Sequence, residues 1–247
     1  MYCKLSKSHF VNLRGGIGML RISFVRLKNL SILQLIFLLL IATLYVFSLA
    51  WTLSSEVESE LYESVLFSTV FTFYSLPLFF ALILCLMQLL QSMERIRLTK
   101  WMEFKVNLCY VTLSSIVSSL VPILSLLILA IYRSTTQFLV VGLMLEVYAR
   151  YFMMFMTIGI IQYLGTLWLK NKWYIAGFLM ITIPCFAFLY YIKTDFGNFF
   201  KFAFFYLTPP AMESGHSVIT IIPFFLGSIL LLGSLFYLRL INQEYLS

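Results

Sequence analysis

Long uncharged apolar runs recur along the chain and are the dominant pattern of the sequence. They lie at 30–51, 64–93, 106–132, 151–169, 173–192 and 218–238. A helix needs about 20 apolar residues to cross the hydrocarbon core of a bilayer, and each run approaches or exceeds that length. The alternation of apolar and polar positions that is typical of a membrane β-barrel does not occur. The pattern predicts an all-α polytopic membrane protein with six transmembrane helices, forming a single domain over 1–247.

The fourth span can be drawn from two starting points. Apolar residues begin near Phe138, but Glu146 and Arg150 interrupt them, and the uncharged run is Tyr151–Leu169. The spacing of four, with the acid first, suits an ion pair along one helix face. Charges at membrane depth usually have a function or line water. A span that starts at Tyr151 is nearly long enough by itself, so we expect the candidate ion pair at the outer interface.

Basic residues mark one side of the predicted membrane. The segment before the first span carries six basic residues and no acid, whereas the loop after that span carries four glutamates and no base. Cytoplasmic loops are enriched in lysine and arginine. With both termini cytoplasmic, thirteen of the seventeen basic residues lie on or beside that side, and we predict this orientation. No A-x-A site follows the long basic stretch and the first span, so we expect no cleavable signal peptide.

Composition narrows the class of protein further. Of 247 residues, 62% are hydrophobic and 11% charged, against about 25% charged in a soluble domain. This excludes a soluble globular protein, a disordered chain and a secreted disulfide scaffold. The net charge of +7 is explained by the distribution of basic residues across the membrane, so no nucleic-acid partner is expected. The four cysteines form no C-x-x-C motif, which disfavours a disulfide framework or a zinc site.

The segment 9–28 has the pattern of an amphipathic helix. Its basic residues Arg14, Arg21 and Lys28 recur every seven positions, away from an apolar face. That face repeats at gaps of three and four and consists of Phe10, Leu13, Ile17, Leu20, Phe24 and Leu27. We predict a helix in the membrane interface, with its basic groups near anionic lipid heads. The alternative is a basic tail that only fixes topology.

A second segment outside the spans, 91–106, combines charges with apolar side chains. A fully solvated loop has no need of Trp101 and Phe104, and aromatic anchors beside charges are typical of a protein interface. We therefore predict a docking element for a soluble partner. Its candidate residues are Met93, Glu94, Arg97, Lys100, Trp101 and Phe104. The alternative is an ordinary cytoplasmic turn whose charges fix topology.

The outer segment 193–217 is too aromatic for a loop in water. Seven aromatic residues lie between Phe196 and Tyr206, and the sequence Thr208–Pro210 then breaks any helix. We predict a re-entrant element that packs against protein in the outer leaflet and closes the outer mouth of a pathway. The candidate gate residues are Phe199, Phe200, Phe204, Tyr206 and Pro209. The alternative is an aromatic belt on ordinary helix ends.

The sequence carries no motif for chemistry of its own. It has no G-x-x-x-x-G-K-[ST] loop for phosphate, no H-E-x-x-H and no paired acidic cluster. We therefore expect no catalytic residue, no metal site and no cofactor bound by this chain. A membrane cysteine peptidase could be assembled from Cys85 or Cys109 with His9, but a buried cysteine more often only packs. That enzyme and a non-transporting membrane scaffold are the alternatives to a transport function.

Three stretches carry a resemblance to a known family. They are the residues from Met93-Glu94-Arg95 to Lys105, which look like an E-x-x-R…K pattern, the stretch 162–172, and Tyr206-Leu207-Thr208-Pro209-Pro210. The chain resembles the permease subunits of ABC-2-type ATP-binding-cassette exporters over nearly its whole length. The stretch 162–172 is similar to permeases of bacterial lantibiotic- and bacteriocin-protection transporters.

The resemblance implies partners and a mechanism. The loop between spans two and three would dock on a cytoplasmic ATPase, which would hold ATP and Mg. A second permease half, in a homodimer or a heterodimer, would complete the pathway. The cargo would be an amphipathic or membrane-active peptide, exported as a product or expelled for self-protection. The location implied is the bacterial plasma membrane.

Overall fold

The computed structural model describes residues 76–86, 99–132, 141–169 and 218–242, and short pieces at 36, 174–175, 177–179 and 181–182. Every regular element in these residues is an α-helix. The helices are α1 (Leu76–Leu86), α2 (Lys100–Tyr132), α3 (Val141–Trp168) and α4 (Val218–Ile241).

Three of these helices are long and apolar enough to cross a membrane. The candidate spans are Lys100–Leu124 in α2, Met144–Trp168 in α3 and Ile221–Ile241 in α4. The described part of the chain is therefore all-helical, with three helices long and apolar enough to span a membrane, which confirms this part of the prediction. The count of six spans stays a prediction. The proposed interfacial helix at 9–28 and the re-entrant element at 193–217 lie outside the described residues.

Two helices begin earlier than the uncharged runs suggest. Helix α2 starts at Lys100, so the second half of the 91–106 segment belongs to the same helix as the span that follows it. Thr99 precedes it as the N-cap: its Oγ1 accepts the Met102 N–H at 3.3 Å, and its carbonyl accepts the Glu103 N–H at 2.9 Å. Helix α3 starts at Val141 and runs without a break through Glu146. Charged residues interrupt the apolar pattern but not helical hydrogen bonding, so they do not mark these helix ends.

Helix α3 is the centre of the described bundle and packs against the other three helices. About 61% of its candidate span is buried, against 39% for α2 and 12% for α4. Its core side chains include Tyr151, Met154, Phe155 and Ile158, none more than 1% exposed. Exposed apolar residues of α2 and α4 face outwards instead, as expected for helices that contact lipid.

Contacts between the helices fix their relative directions. Phe80 of α1 stacks on Phe155 of α3 at 4.7 Å, and Leu84, one turn further on, lies against Gly159. Residue numbers thus rise together, so α1 and α3 are parallel. Helices α2 and α3 are antiparallel, because their residue numbers run in opposite directions along the contact. Val111 meets Gly159. Tyr110, one residue earlier, meets Tyr163, and Thr112, one residue later, meets Met156.

Helix α4 is antiparallel to α2 and therefore parallel to α3. Phe104 packs on Phe236 with ring centroids 5.3 Å apart, and Lys100, one turn earlier in α2, contacts Ile241, near the end of α4. Since α3 and α4 point the same way, the end of α3 and the start of α4 lie at opposite ends of the bundle.

Candidate functional site at the basic end of the bundle

One end of the bundle carries three of the four basic residues in the part of the chain that the structure describes. Lys100 and Lys105 lie in the first turns of α2, and Arg239 lies in the last turn of α4. The antiparallel packing of α2 and α4 brings these residues to the same end, called the basic end below. The fourth basic residue, Arg150, lies toward the opposite end of α3.

Trp101 is the most conspicuous side chain of the basic end. It is 46% exposed, yet three neighbours hold it. Its ring stacks on Phe104 at 5.5 Å, meets the ring of Tyr237 edge-on at 5.2 Å, and has Lys105 Nζ 4.8 Å from its centroid. The ammonium group is within the range of a cation–π contact. An exposed aromatic ring fixed in this way loses little rotamer freedom when a partner covers it.

Phe104 has a different environment from Trp101, although both are candidate docking residues. Its ring packs on Phe236 and on Tyr237, at 5.3 and 5.5 Å, so it joins α2 to α4. Phe236 in turn meets the ring of Tyr163 at 6.4 Å. Phe104 is thus a partly buried residue that packs between helices, and of the two only Trp101 is exposed.

Lys100 is also engaged within the chain. Its Nζ donates a hydrogen bond to the carbonyl oxygen of Ile241, near the C-terminal end of α4. The last carbonyls of a helix have no partner inside the helix, and a lysine there also interacts favourably with the helix dipole. The candidate docking residues Met93, Glu94 and Arg97 lie outside the described residues.

Two buried polar residues of the basic end were not predicted from the sequence. Glu103 is 0% exposed and Asn107, one turn further along α2, is 2% exposed. Asn107 Oδ1 accepts no hydrogen bond. Glu103 falls in the segment expected to be a cytoplasmic loop. The spacing of four residues between Glu103 and Asn107 could have predicted a shared polar face, because the two residues lie on one side of α2 when the helix starts at Lys100.

The candidate ion pair forms within α3. Arg150 Nη2 lies 2.9 Å and Nε 3.3 Å from Glu146 Oε1. The Arg150 side chain is completely buried, whereas that of Glu146 is 29% exposed. Both residues belong to the candidate span Met144–Trp168.

The depth of this pair follows from helix geometry. At a rise of about 1.5 Å per residue, Arg150 is about 27 Å and Glu146 about 33 Å from Trp168 along α3. A hydrocarbon core of about 30 Å with Trp168 at its edge would end between them. Their position at the outer interface stays a prediction.

Hydrogen bonds satisfy several other buried polar groups on α2 and α3. Gln162 Nε2 donates to the carbonyl of Ala81 at 3.0 Å, which joins α3 to α1. Ser119 and Thr157 donate to carbonyls of their own helices, at 2.9 Å each. These groups stabilise packing and show no arrangement typical of catalysis. Among the described residues, no group of three histidines, cysteines or acids could hold a metal ion.

The remaining candidate residues are not brought together by the described structure. Cys109 is a free, partly buried cysteine on α2. Both histidines, His9 and His216, lie outside the described residues, as do the five candidate gate residues. These are Phe199, Phe200, Phe204, Tyr206 and Pro209. The outer gate therefore stays a prediction, and the cysteine–histidine pair stays an alternative.

Comparison of the chain with protein-family models, with curated proteins and with solved structures gives no match.

Proposed function

We propose that the chain is the membrane-spanning subunit of an ATP-driven exporter of the ABC-2 type. On this proposal it crosses a bacterial plasma membrane six times, with both termini in the cytoplasm. The directions of the helices support the count, because α1, α3 and α4 are parallel and α2 opposes them. A fifth span between α3 and α4 would supply the required return, and the chain would then end at the basic end.

The charges support placing the basic end in the cytoplasm. Lys100, Lys105 and Arg239 lie there, as the positive-inside rule requires. The exposed Trp168 at the end of α3 suits a membrane–water interface. The opposite end, with Glu146 as its acid, would then face outwards.

The observation that carries the proposal is the held but exposed ring of Trp101. The chain has no phosphate-binding loop of its own, so energy for transport would arrive through a cytoplasmic contact. Trp101 stands at the start of α2, directly after the stretch with Met93, Glu94 and Arg97 that resembles a coupling element. We assign it as the anchor for a cytoplasmic ATP-binding-cassette ATPase, which would bind ATP and Mg.

The cargo and the second half of the transporter rest on the family resemblance. A second permease half, identical or different, would form the pathway together with this chain. An amphipathic, membrane-active peptide is the cargo class we propose, for export or for self-protection. The mainly apolar surface of α2 and α4 is compatible with such a cargo or with lipid.

The test compares two exposed tryptophans at the same end of the bundle. Tagged wild-type chain, Trp101→Ala and Trp168→Ala are purified from native membranes in mild detergent, and the retained ATPase is identified by mass spectrometry. Trp168 is 70% exposed, and none of the ring contacts of the described bundle involves it. It therefore controls for the loss of an interfacial indole.

We expect wild type and Trp168→Ala to retain an ATP-binding subunit and Mg-dependent ATP hydrolysis. The Trp101→Ala variant should insert into the membrane normally. Its retention of the ATP-binding subunit and its ATP hydrolysis should both fall at least tenfold, since removal of an anchor residue costs about 2 kcal/mol or more of binding free energy. Phe104 is left unchanged, because its loss would also disturb α4. Equal retention by all three proteins would remove Trp101 as the anchor. Absence of any ATPase from the wild-type preparation would contradict the exporter assignment.

A further inference from the structure

Helix α4 is the least covered of the three candidate spans, with 12% of its span buried. One side of it packs inwards, where Phe236 contacts Phe104 of α2 and Tyr163 of α3. At about 100° per residue, its exposed apolar residues spread over more than half of the helix circumference, and they form the open face of α4. These residues are Ile219, Ile222, Leu226, Leu230, Leu231, Leu235, Leu238 and Ile241.

The open face is nearly as long as the hydrocarbon core of a bilayer is thick. From Ile219 to Leu238 the helix rises about 28 Å, at about 1.5 Å per residue, and the core is about 30 Å thick. Arg239 follows directly, in the last turn of α4. A charge therefore appears where the lipid headgroups would begin.

Arg239 ends a row of side chains on the open face. Leu231, Leu235 and Arg239 are spaced by four residues, so each is a neighbour of the next along one side of the helix. Leu231 is 61% and Leu235 46% exposed, and Arg239 is exposed as well. The row thus offers an apolar surface for an acyl chain and a guanidinium group at its end.

The other residues at this end also suit a headgroup layer. Trp168 lies five residues beyond Tyr163, as Ile241 lies five beyond Phe236, and the rings of Tyr163 and Phe236 are in contact. The exposed Trp168 is thus nearly level with the end of α4, and tryptophan is enriched at membrane–water interfaces. Glu103 is the acid among the described residues of this end, and it is buried. The accessible charges described there are basic and complement an anionic surface.

The composition of the open face favours lipid over a partner helix. Helices that pack together in a membrane place small residues at the contact, whereas leucine and isoleucine dominate this face. Its exposed small residues include Gly227 and Ser234. Ser234 Oγ donates to the carbonyl of Leu230 in its own helix at 2.7 Å, so the hydroxyl needs no partner helix.

We propose that the open face of α4 lies against bilayer lipid and that Arg239 binds the anionic headgroup of a phospholipid. The acyl chain of that lipid follows Leu235 and Leu231, and the guanidinium group contacts the phosphate. Helix α4 is then at the periphery of any assembly that the chain forms. The inference goes beyond the exporter assignment and holds whichever partner docks at Trp101.

Lipid-borne quenchers test the open face in the full chain, purified with the subunits that it retains and placed in phosphatidylcholine nanodiscs. The four cysteines are replaced by serine, and a bimane fluorophore is attached through Leu231→Cys or Ile229→Cys. Ile229 is the matched control, because it is partly buried against the core of the bundle. Phosphatidylcholine with a nitroxide on its acyl chain should quench the label at 231 strongly and the label at 229 weakly. Weak quenching at 231, or equal quenching at both positions, would overturn the lipid contact.

A second comparison tests Arg239 with the label attached through Leu235→Cys, one turn earlier. Quenching by nitroxide-labelled phosphatidylglycerol, which is anionic, is compared with quenching by nitroxide-labelled phosphatidylcholine. We expect phosphatidylglycerol to be favoured about fivefold at this position, as for one basic group near an anionic lipid surface. Arg239→Gln should abolish the preference, and Arg239→Lys, which keeps the charge, should retain it. An equal preference in wild type and Arg239→Gln would overturn the headgroup site and leave Arg239 as a partner of the helix dipole alone.

Discussion

Among the glycines of the described residues, Gly159 leaves the least room for a side chain, and it yields a quantitative prediction. A Cβ atom at Gly159 would lie 2.5 Å from Val111 Cγ1, and 3.5 Å from both Leu84 Cδ1 and Phe80 Cε1. Carbon atoms pack at about 3.5–4.0 Å, so Gly159→Ala overlaps Val111 by about 1 Å. Valine in a helix has one strongly preferred χ1 rotamer, so it cannot turn aside cheaply and the α2 and α3 backbones must shift.

The magnitude follows from two opposing terms. Overpacking of this kind costs about 1–3 kcal/mol, whereas replacing glycine by alanine within a helix gains about 0.5–1 kcal/mol. Gly142 is the matched control, because it lies in the same helix and its Cβ would meet nothing within 4 Å. We expect Gly142→Ala to be neutral or slightly stabilising. Gly159→Ala should be less stable than Gly142→Ala by about 1–3 kcal/mol.

Reversible unfolding of the purified chain in mixed detergent, followed by circular dichroism, measures these free energies. Val111→Ala removes the clashing methyl group and should restore much of the stability that Gly159→Ala loses. The coupling energy between the two positions should be at least about 1 kcal/mol. Equal stability of the two glycine variants, or additive effects of Val111→Ala and Gly159→Ala, would refute close packing of α2 on α3 at this point.

Three further predictions concern polar groups and are measured by the same unfolding assay. Arg150→Met should lower the free energy of unfolding less than Glu146→Gln does. Glu146→Gln leaves a buried guanidinium without its carboxylate, which costs about 3–5 kcal/mol; the reverse order would contradict the ion pair. Asn107→Leu should be neutral or stabilising, since Oδ1 accepts no hydrogen bond. Gln162→Leu should instead cost about 0.5–1.5 kcal/mol, because it removes the hydrogen bond to the Ala81 carbonyl that joins α3 to α1; equal effects of the two changes would argue against this difference. Thr99→Ala should cost about 0.5–2 kcal/mol as a lost N-cap, and no change would mean that another group caps α2.

The long uncharged apolar runs were enough to predict the structural class of the chain. Uncharged apolar runs of about 20 residues are typical of membrane helices, so spans were predictable at 106–132 and 218–238. Helices long and apolar enough to cross a membrane lie there as α2 and α4. The spacing of Glu146 and Arg150 also indicated a pair on one helix face, and the pair forms within α3. These features depend on neighbours within a few turns, which is why the sequence suffices for them.

Helix ends and the use of individual side chains were less predictable. Charged residues were used to predict where the spans start. Helix α2 instead begins earlier, at Lys100, because Thr99 caps it, and α3 begins earlier, at Val141. Hydropathy reports the preference of a residue for lipid, whereas a helix ends where its hydrogen bonding or capping ends.

Only the tertiary structure decided which residues of the basic end are exposed. The sequence gives Trp101 and Phe104 the same character, yet the packing of α4 on α2 covers Phe104 and leaves much of Trp101 open. It likewise buries Glu103, which lies within the segment 91–106 that the sequence predicted to be a docking element. The sequence determined that the chain forms membrane helices, with basic groups favouring one side. The packing of α2, α3 and α4 determined which side chains join helices and which remain available, because that depends on contacts between residues 44 to 141 positions apart in the chain.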